Sequence, residues 1–364
     1  MKYEIEFIGI KDETSKDADA VCFRYFDENQ QRFIIGIYDG GTKSYGEALK
    51  NHLIQYYSED GQNPIIDFVV CSHSDLDHAS GLSVILENFE VKKIFMNRPW
   101  LYVEDVFDKV NDGRITKLSL EDRLRKSYSY INDLENLALE KEVEINESFE
   151  GIKISDKLTI LSPSKEFFLE LLIESQKTPL SEECQVSESF ISKIKTTIRM
   201  ALESWSNELI REDVKTSAEN EMSIVVWGDM EKDKLILMGD AGLRGINKAI
   251  DYAETLGIDV KEANFLQIPH HGGRHNVSPS LLNRLIGNIK KDNETPTKTA
   301  FVSVGKNSEH PKKMVVNAFI RRGVKVFEAR TSTKRHYSNM PEREGWSSAI
   351  SNQFSNEVED WDNN

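Results

Sequence analysis

His73-Ser74-Asp75-Leu76-Asp77-His78 follows directly on the run Ile65-Ile66-Asp67-Phe68-Val69-Val70-Cys71-Ser72, and this junction decides the fold. Ile65 to Ser72 reads as a buried strand. Two histidines and two aspartates therefore emerge at a strand end, where leaving them unpartnered would be costly. The spacing suits two divalent ions. His73 and Asp75 can turn one way along the loop and Asp77 the other, with His78 beside it. A pair of ions so held activates water and clamps a phosphate or acyl group. The ordinary alternative is a polar turn that caps the next helix through Asp77 or Ser80.

Working outward, the first third alternates strand and helix signals. Tyr3 to Ile10, Val21 to Phe26, Arg32 to Tyr38 and Val91 to Met96 are strand-like, and Asp39-Gly40-Gly41 ends one of them. Ser44 to Tyr57 and Gly81 to Phe89 have helical spacing. In the middle, Glu104 to Val110, Ser119 to Glu140 and Ser187 to Arg211 predict amphipathic helices, with Leu158 to Pro163 a strand between them. The last third alternates again, with strands at Met222 to Trp227, Lys234 to Met238, Phe265 to Ile268, Ala300 to Val304 and Val324 to Phe327. Helices are predicted over Gly245 to Leu256 and Met314 to Arg321. Strands that end in His- and Asp-bearing loops, repeated in two halves, predict an α/β fold, an αββα sandwich with helices outside. The expected organisation is one domain over residues 1–330, helical insertions at about 100–150 and 165–215, and a loosely held polar tail over 331–364.

The junction resembles the HxHxDH signature of the metallo-β-lactamase fold. It matches the HxDxDH variant of the hydrolase domain of ComEC competence proteins and their free-standing soluble relatives. Asp39-Gly40-Gly41 resembles that fold's early strand-end Asp. Leu237-Met238-Gly239-Asp240-Ala241 resembles its GDA strand end, and Ile268-Pro269-His270-His271-Gly272 its HHG element. Ser303-Val304-Gly305-Lys306-Asn307 with His310-Pro311 resembles a ComEC-type ending. The resemblance covers roughly residues 1–100 and 218–330, leaving out the helical middle. It implies metal ligands at His73, Asp75, Asp77, His78, Asp240 and His270, with Asp240 shared between two ions. His271 would then line the site or touch substrate. Asp240 read in isolation could instead cap a helix.

Asp75 stands where the commoner pattern has an imidazole. A donor set richer in carboxylate tolerates Mn²⁺, and Mg²⁺ or Fe²⁺, better than a His-rich one does, with Zn²⁺ still open. The first site's third imidazole is also missing; Asn220 is the best match in its region, with a plain turn residue as the alternative. Lys306, Asn307 and His310 put a cation, an amide and an imidazole in one loop. That set suits phosphate oxygens and a leaving alkoxide, with a solvated turn before a helix as the alternative. Catalytic roles are expected for Asp77, Lys306, Asn307 and His310, and substrate contacts for His271, Lys306, Asn307 and Lys312.

Hydrophobic residues make up 39% and charged residues 29% of 364 residues, ordinary for a soluble globular chain. No apolar run is long enough to span a bilayer, and Met1 to Glu6 does not read as a signal peptide. Cys22, Cys71 and Cys184 form no CxxC pair, which fits a reducing cytoplasm and argues against thiolate zinc. The net charge of −15 repels nucleic acid overall. A polyanionic substrate must therefore meet a local basic groove, expected from Arg274, His275, Lys306, Lys312, Lys313, Arg321 and Arg322. His52, His336, Trp205 and Trp227 are expected in structural roles. The resemblance implies a metal-dependent phosphodiesterase, a nuclease acting on DNA, of the kind found as an effector in bacterial defence. A hydrolase of a small anion such as a cyclic nucleotide or lactone is the alternative. The apolar stripe Leu120, Leu124, Tyr128, Ile131 and Leu134 needs a covering surface on the core or on another chain, and a homodimer or a stable complex with a partner protein through this region is expected.

Overall fold

Alternation along the strands sorts the apolar residues into three layers. In a computed structural model describing residues 1–12, 16–110, 115–178 and 200–361, β1 (Tyr3–Phe7) turns Tyr3, Ile5 and Phe7 to one face and Glu4 and Glu6 to the other. The strands that follow are β2 (Ala20–Asp27), β3 (Arg32–Gly40), β4 (Phe68–Val70), β5 (Lys93–Phe95), β6 (Glu144–Asn146), β7 (Leu158–Ser162) and β8 (Met200–Leu202). Then come β9 (Val225–Met230), β10 (Asp233–Leu237), β11 (Phe265–Gln267), β12 (Lys298–Ser303), β13 (Val324–Ala329), β14 (Lys334–Ser338) and β15 (Glu357–Glu359). Two sheets result, in the orders β14-β1-β2-β3-β4-β5-β6 and β13-β12-β11-β10-β9-β7, with β8 and β15 as a separate pair.

The first sheet is antiparallel from β14 to β3 and parallel from β3 to β6; the second is parallel from β13 to β10. Parallel neighbours require crossover connections, and helices supply them on the outer faces. One core fills the space between the sheets, with Phe7, Phe23, Phe68, Phe265 and Phe301 in it. A second lies under helices Lys43–Tyr57, Leu82–Asn88 and the helical middle, and a third under helices Leu243–Thr255, Pro279–Leu285 and Lys313–Arg321. This is the expected αββα sandwich. Among the described residues, no helix is long and apolar enough to cross a membrane.

Helices Val103–Val110, Lys117–Ser127 and Ser129–Glu140 form between β5 and β6 as expected. Their stripe of Leu120, Leu124, Tyr128, Ile131 and Leu134 is buried in the chain's own core. It is therefore covered from within, and nothing in it calls for a second copy or a partner protein. Of the helix read over 187–211, residues 187–199 lie outside the described residues, as does Cys184. Met200–Leu202 is instead strand β8, paired with β15. The end of the chain also departs from a loose tail. β14 adds an edge to the first sheet, and its His336 ring lies 4.8 Å from Phe265 in the inter-sheet core. Trp227 is core.

The acidic side of β1 is buried too. Glu4 and Glu6 are fully inaccessible. Arg24, Arg335 and Arg343 neutralise them, with Arg343 reaching Glu6 at 2.5 Å from the segment after β14. His52 Nε2 lies 3.1 Å from Glu6, which gives that histidine its structural role. Burial alone would raise the Glu6 carboxyl; His52 and Arg343 outweigh it and lower its pKa from 4.5 to about 2. Because the folded value is depressed, Glu6 contributes stability above pH ~4.5 that is lost as pH falls through about 2. At roughly 1.4 kcal/mol per pH unit the contribution is about 3 kcal/mol. Urea unfolding of the wild type between pH 6 and 2 should show this loss, and Glu6→Gln should flatten the profile. An unchanged profile would remove the ion cluster from the account.

Candidate metal centre

The site forms where the C-terminal ends of β3, β4, β10, β11 and β12 meet. Asp39, the end of β3, sits at φ +60° and is completely buried. Its carboxylate accepts from the Ser72 backbone N–H at 2.7 Å and Ser72 Oγ at 2.6 Å, which fixes the loop after β4. Backbone meets backbone beside it: a Cβ on Gly81 would lie 2.0 Å from the Gly40 carbonyl oxygen. Only glycine permits that approach. Asp77 lies inside the short helix Leu76–Ala79 and Ser80 at its end, while Gly81 precedes helix Leu82–Asn88 with no side-chain cap. Gly242, not Asp240, precedes helix Leu243–Thr255. Neither capping alternative is realised.

Each of the four histidines uses Nδ1 outward. His78 Nδ1 lies 2.8 Å from Asp39 Oδ2, and His73 Nδ1 lies 3.0 Å from Ser72 Oγ. His271 Nδ1 lies 2.9 Å from the Ser303 carbonyl, and His270 Nδ1 lies 2.7 Å from Asn276 Oδ1. Acceptors at Nδ1 place the proton there and leave the Nε2 lone pair for a metal. Among the described residues, the Nε2 atoms of His73 and His271 and both Asp19 oxygens are buried without a hydrogen bond of good geometry, and His78 Nε2 and Asp240 Oδ1 face each other. Buried polar atoms without partners are expensive. This convergence is what a metal ion would satisfy.

Asp240 divides the cluster. Its Oδ1 lies 3.1 Å from His78 Nε2, while its Oδ2 lies 3.9 Å from His73 Nε2 and 3.8 Å from His270 Nε2. On the Oδ2 side, His73 Nε2 is also 3.7 Å from Asp75 Oδ2. On the Oδ1 side, His271 Nε2 lies 3.4 Å from Asp77 Oδ2, and Asp19, His78, Asp240 and His271 form one group with donor atoms within 4.8 Å of one another. Donors about 2.1 Å from a common ion are themselves roughly 3 to 3.5 Å apart. Asp19, His78, Asp240 and His271 converge closely enough to suit a divalent ion, while His73, Asp75 and His270 face the other oxygen of Asp240 at separations of 3.7 to 3.9 Å.

The adjacent histidines differ from their sequence-based placing. His271, expected to line the site or contact substrate, joins Asp77 and His78. His270 Nε2 faces Asp240 Oδ2, the oxygen that His73 Nε2 also faces. Asn220 Nδ2 donates to Thr216 Oγ1 and lies 3.2 Å from His270 Nδ1, which places Asn220 beside that ring. The cause is backbone conformation. His270, His271 and Gly272 are all left-handed, at φ 48°, 53° and 79°, and the two rings lie 67° apart. Such strain persists where surrounding structure enforces it.

Electrostatics follow from the crowding of acids and imidazoles. Burial opposes a charge on His271, but its hydrogen bond to Asp77 and the nearby Asp240 and Asp19 raise its pKa to about 10. His78 is likewise raised despite burial, by Asp240 and Asp39. Without a metal, protons hold the carboxylates together; a bound cation displaces them.

No family model and no curated protein matches the chain. Among solved structures, unliganded yeast PDE1 has a TM-score of 0.41 at 13% identity, covering 91% of this chain and 98% of that one. Rubredoxin oxygen:oxidoreductase from Desulfovibrio gigas gives 0.33 at 12%, covering 89% and 70%. ST1585, described as an archaeal metallo-β-lactamase superfamily protein from Sulfolobus tokodaii, gives 0.30 at 11%, covering 80% and 90%.

Around the cluster, Lys177 Nζ reaches Asp75 Oδ1 at 2.5 Å and Ser74 Oγ at 3.1 Å. His310 Nδ1 lies 2.8 Å from Asp17, which also accepts from Gly305 N and Ser308 Oγ and so ties the Lys306–Asn307 loop to the start of β2. The expected basic groove is largely consumed inside the fold. Arg321 and Arg322 are buried against Glu203 and Glu208, and Arg274 stacks on Trp361 at 4.6 Å. His275 stacks on the same indole, and Lys312 pairs with Glu309. Asp19, Lys177, Asn276 and Ser223, whose Oγ accepts from the Asp240 backbone N–H at 3.1 Å, escaped sequence reading. Only Asp19 left a trace, as an acid between Ala18 and Ala20 at the head of an apolar strand.

Proposed function

We propose that this chain is a metal-dependent phosphodiesterase acting on DNA. One observation supports it most: four imidazoles, each fixed through Nδ1, aim Nε2 at two sides of one buried carboxylate. Two divalent ions held there would supply an activated water at neutral pH and neutralise charge developing on a phosphoryl group. The chain's own residues do the rest. Asp39, Ser72, Asn276 and the Ser303 carbonyl hold the rings in place. Asp17 orients His310, whose imidazole, or Lys306, assists the leaving oxygen. Lys306 and Asn307, and Lys312 on release from Glu309, would meet phosphate oxygens. The substrate class comes from the motif resemblance. Burial of Arg274, Arg321 and Arg322 favours a second reading, a small anionic diester such as a cyclic nucleotide, because long DNA needs many exposed cations against a net charge of −15.

The test sets purified protein with Mn²⁺, Zn²⁺ or Mg²⁺ against linear, circular and single-stranded DNA, a cyclic dinucleotide and bis-p-nitrophenyl phosphate. DNA cleavage with at least one metal is expected. Lys306→Ala should slow DNA cleavage at least about tenfold at unchanged metal content and lower the log–log salt slope of DNA binding by roughly one. Bis-p-nitrophenyl phosphate should suffer far less. Cleavage of the cyclic nucleotide alone would hand the function to the second reading, and undiminished DNA cleavage by Lys306→Ala would remove that residue from it.

A further inference from the structure

Asp19 lies at the head of β2, outside every motif that marked the site. Its backbone N–H donates to the Asp77 carbonyl at 3.1 Å, which ties it to the ligand-bearing loop. Its side chain is 1% exposed, and among the described residues its oxygens make no hydrogen bond of good geometry, the Ser303 hydroxyl being the one donor that stabilises its charge. The nearest charged atoms are those of the site: Asp19 Oδ2 lies 3.9 Å from His271 Nδ1, and the carboxylate belongs to the group with His78, Asp240 and His271. A fully buried carboxylate aimed at two imidazoles and another acid is costly unless a cation joins them.

We propose that Asp19 is a further protein ligand to the ion on the Asp77–His78–His271 side, and that it makes this side selective for Mn²⁺ over Zn²⁺. The inference rests on the metal reading above. With Asp77, His78, Asp240 and His271 it brings the protein donors to five, three of them carboxylate. Zinc in protein sites is satisfied by about four donors. Harder cations that take more oxygen donors gain most from a further carboxylate.

The test uses metal-stripped full-length protein at pH 7.5, titrated with Mn²⁺ alone and Zn²⁺ alone by calorimetry, with elemental analysis and thermal unfolding. Wild type should take up two Mn²⁺. Asp19→Asn and Asp19→Ala should weaken one of the two Mn²⁺ steps at least about tenfold, leave the other step unchanged, and lower Zn²⁺ affinity much less. Metal-stripped Asp19→Asn should unfold no earlier than metal-stripped wild type, because a costly buried charge is gone. The rise in Tm on adding Mn²⁺ should be smaller in the variant. Two Mn²⁺ bound by both variants at wild-type affinity would overturn the assignment while leaving the metal centre standing. So would an equal loss of Tm with and without metal. Wild type that binds no Mn²⁺ or Zn²⁺ would remove the metal centre and this ligand together.

Discussion

Asp240→Ala should reduce diester hydrolysis by roughly a thousandfold or more, at least the loss expected when a charge-stabilising group leaves a preorganised site. The reason is positional. Asp240 Oδ1 faces His78 and Oδ2 faces His73 and His270, so one truncation removes a donor from both sides of the cluster. Coordination would be incomplete at both ions, and the remaining buried donors would repel or orphan one another. The measurement is initial rate on bis-p-nitrophenyl phosphate with Mn²⁺, beside metal content by elemental analysis. A helix-capping Asp240 would predict something else: about 1 kcal/mol of stability lost and turnover intact. Retained turnover with both ions bound would refute the shared-carboxylate arrangement.

Arg321→Ala should destabilise the fold by about 3–5 kcal/mol, because it breaks a buried pair rather than an exposed one. Arg321 and Glu203 are both fully buried and 2.9 Å apart, and Glu203 also receives Asn317 Nδ2 and the Leu209 backbone N–H. Removing the guanidinium leaves Glu203 charged and under-satisfied. It also frees the carbonyls of Ser204, Trp205 and Asn207. Urea unfolding measures the loss, and the salt dependence of DNA binding measures the alternative. A groove residue would lower the salt slope by roughly one at little cost in stability. That outcome would restore Arg321 to the groove and contradict its burial.

The strand-end motifs were legible because each couples a buried apolar run to a cluster of metal-type side chains. Ile65 to Ser72 before His73 and Phe265 to Ile268 before His270 are strands that could end only in a site or in unpaired polar groups. The sandwich was legible for the same reason, through strand periodicity and helix spacing. Choosing between His270 and His271 was not. Their separation depends on three consecutive left-handed residues, a backbone state that side-chain identity does not encode. The arginines misled because periodicity reports which face of helix Lys313–Arg321 is apolar, but not that Glu203 and Glu208 would arrive from β8 and its following loop to neutralise it. Residues 331 onward misled similarly. Their polarity suited a loose tail, yet Arg335 and Arg343 are the partners that Glu4 and Glu6 require. Asp19 left only an acid at the head of an apolar strand and Lys177 no local signal, and both reach the site through tertiary packing.

Metal content of the purified wild-type chain tests the central claim most directly. Protein prepared without chelator and dialysed against metal-free buffer should carry close to two divalent ions per chain by elemental analysis. Asp77→Ala combined with His78→Ala should lose most of them, since both residues face the side that also holds His271 and Asp19. Wild-type protein that binds no divalent metal under any condition would contradict the account, because the inward-facing Nε2 atoms of His73, His78 and His271 would then have no purpose in common.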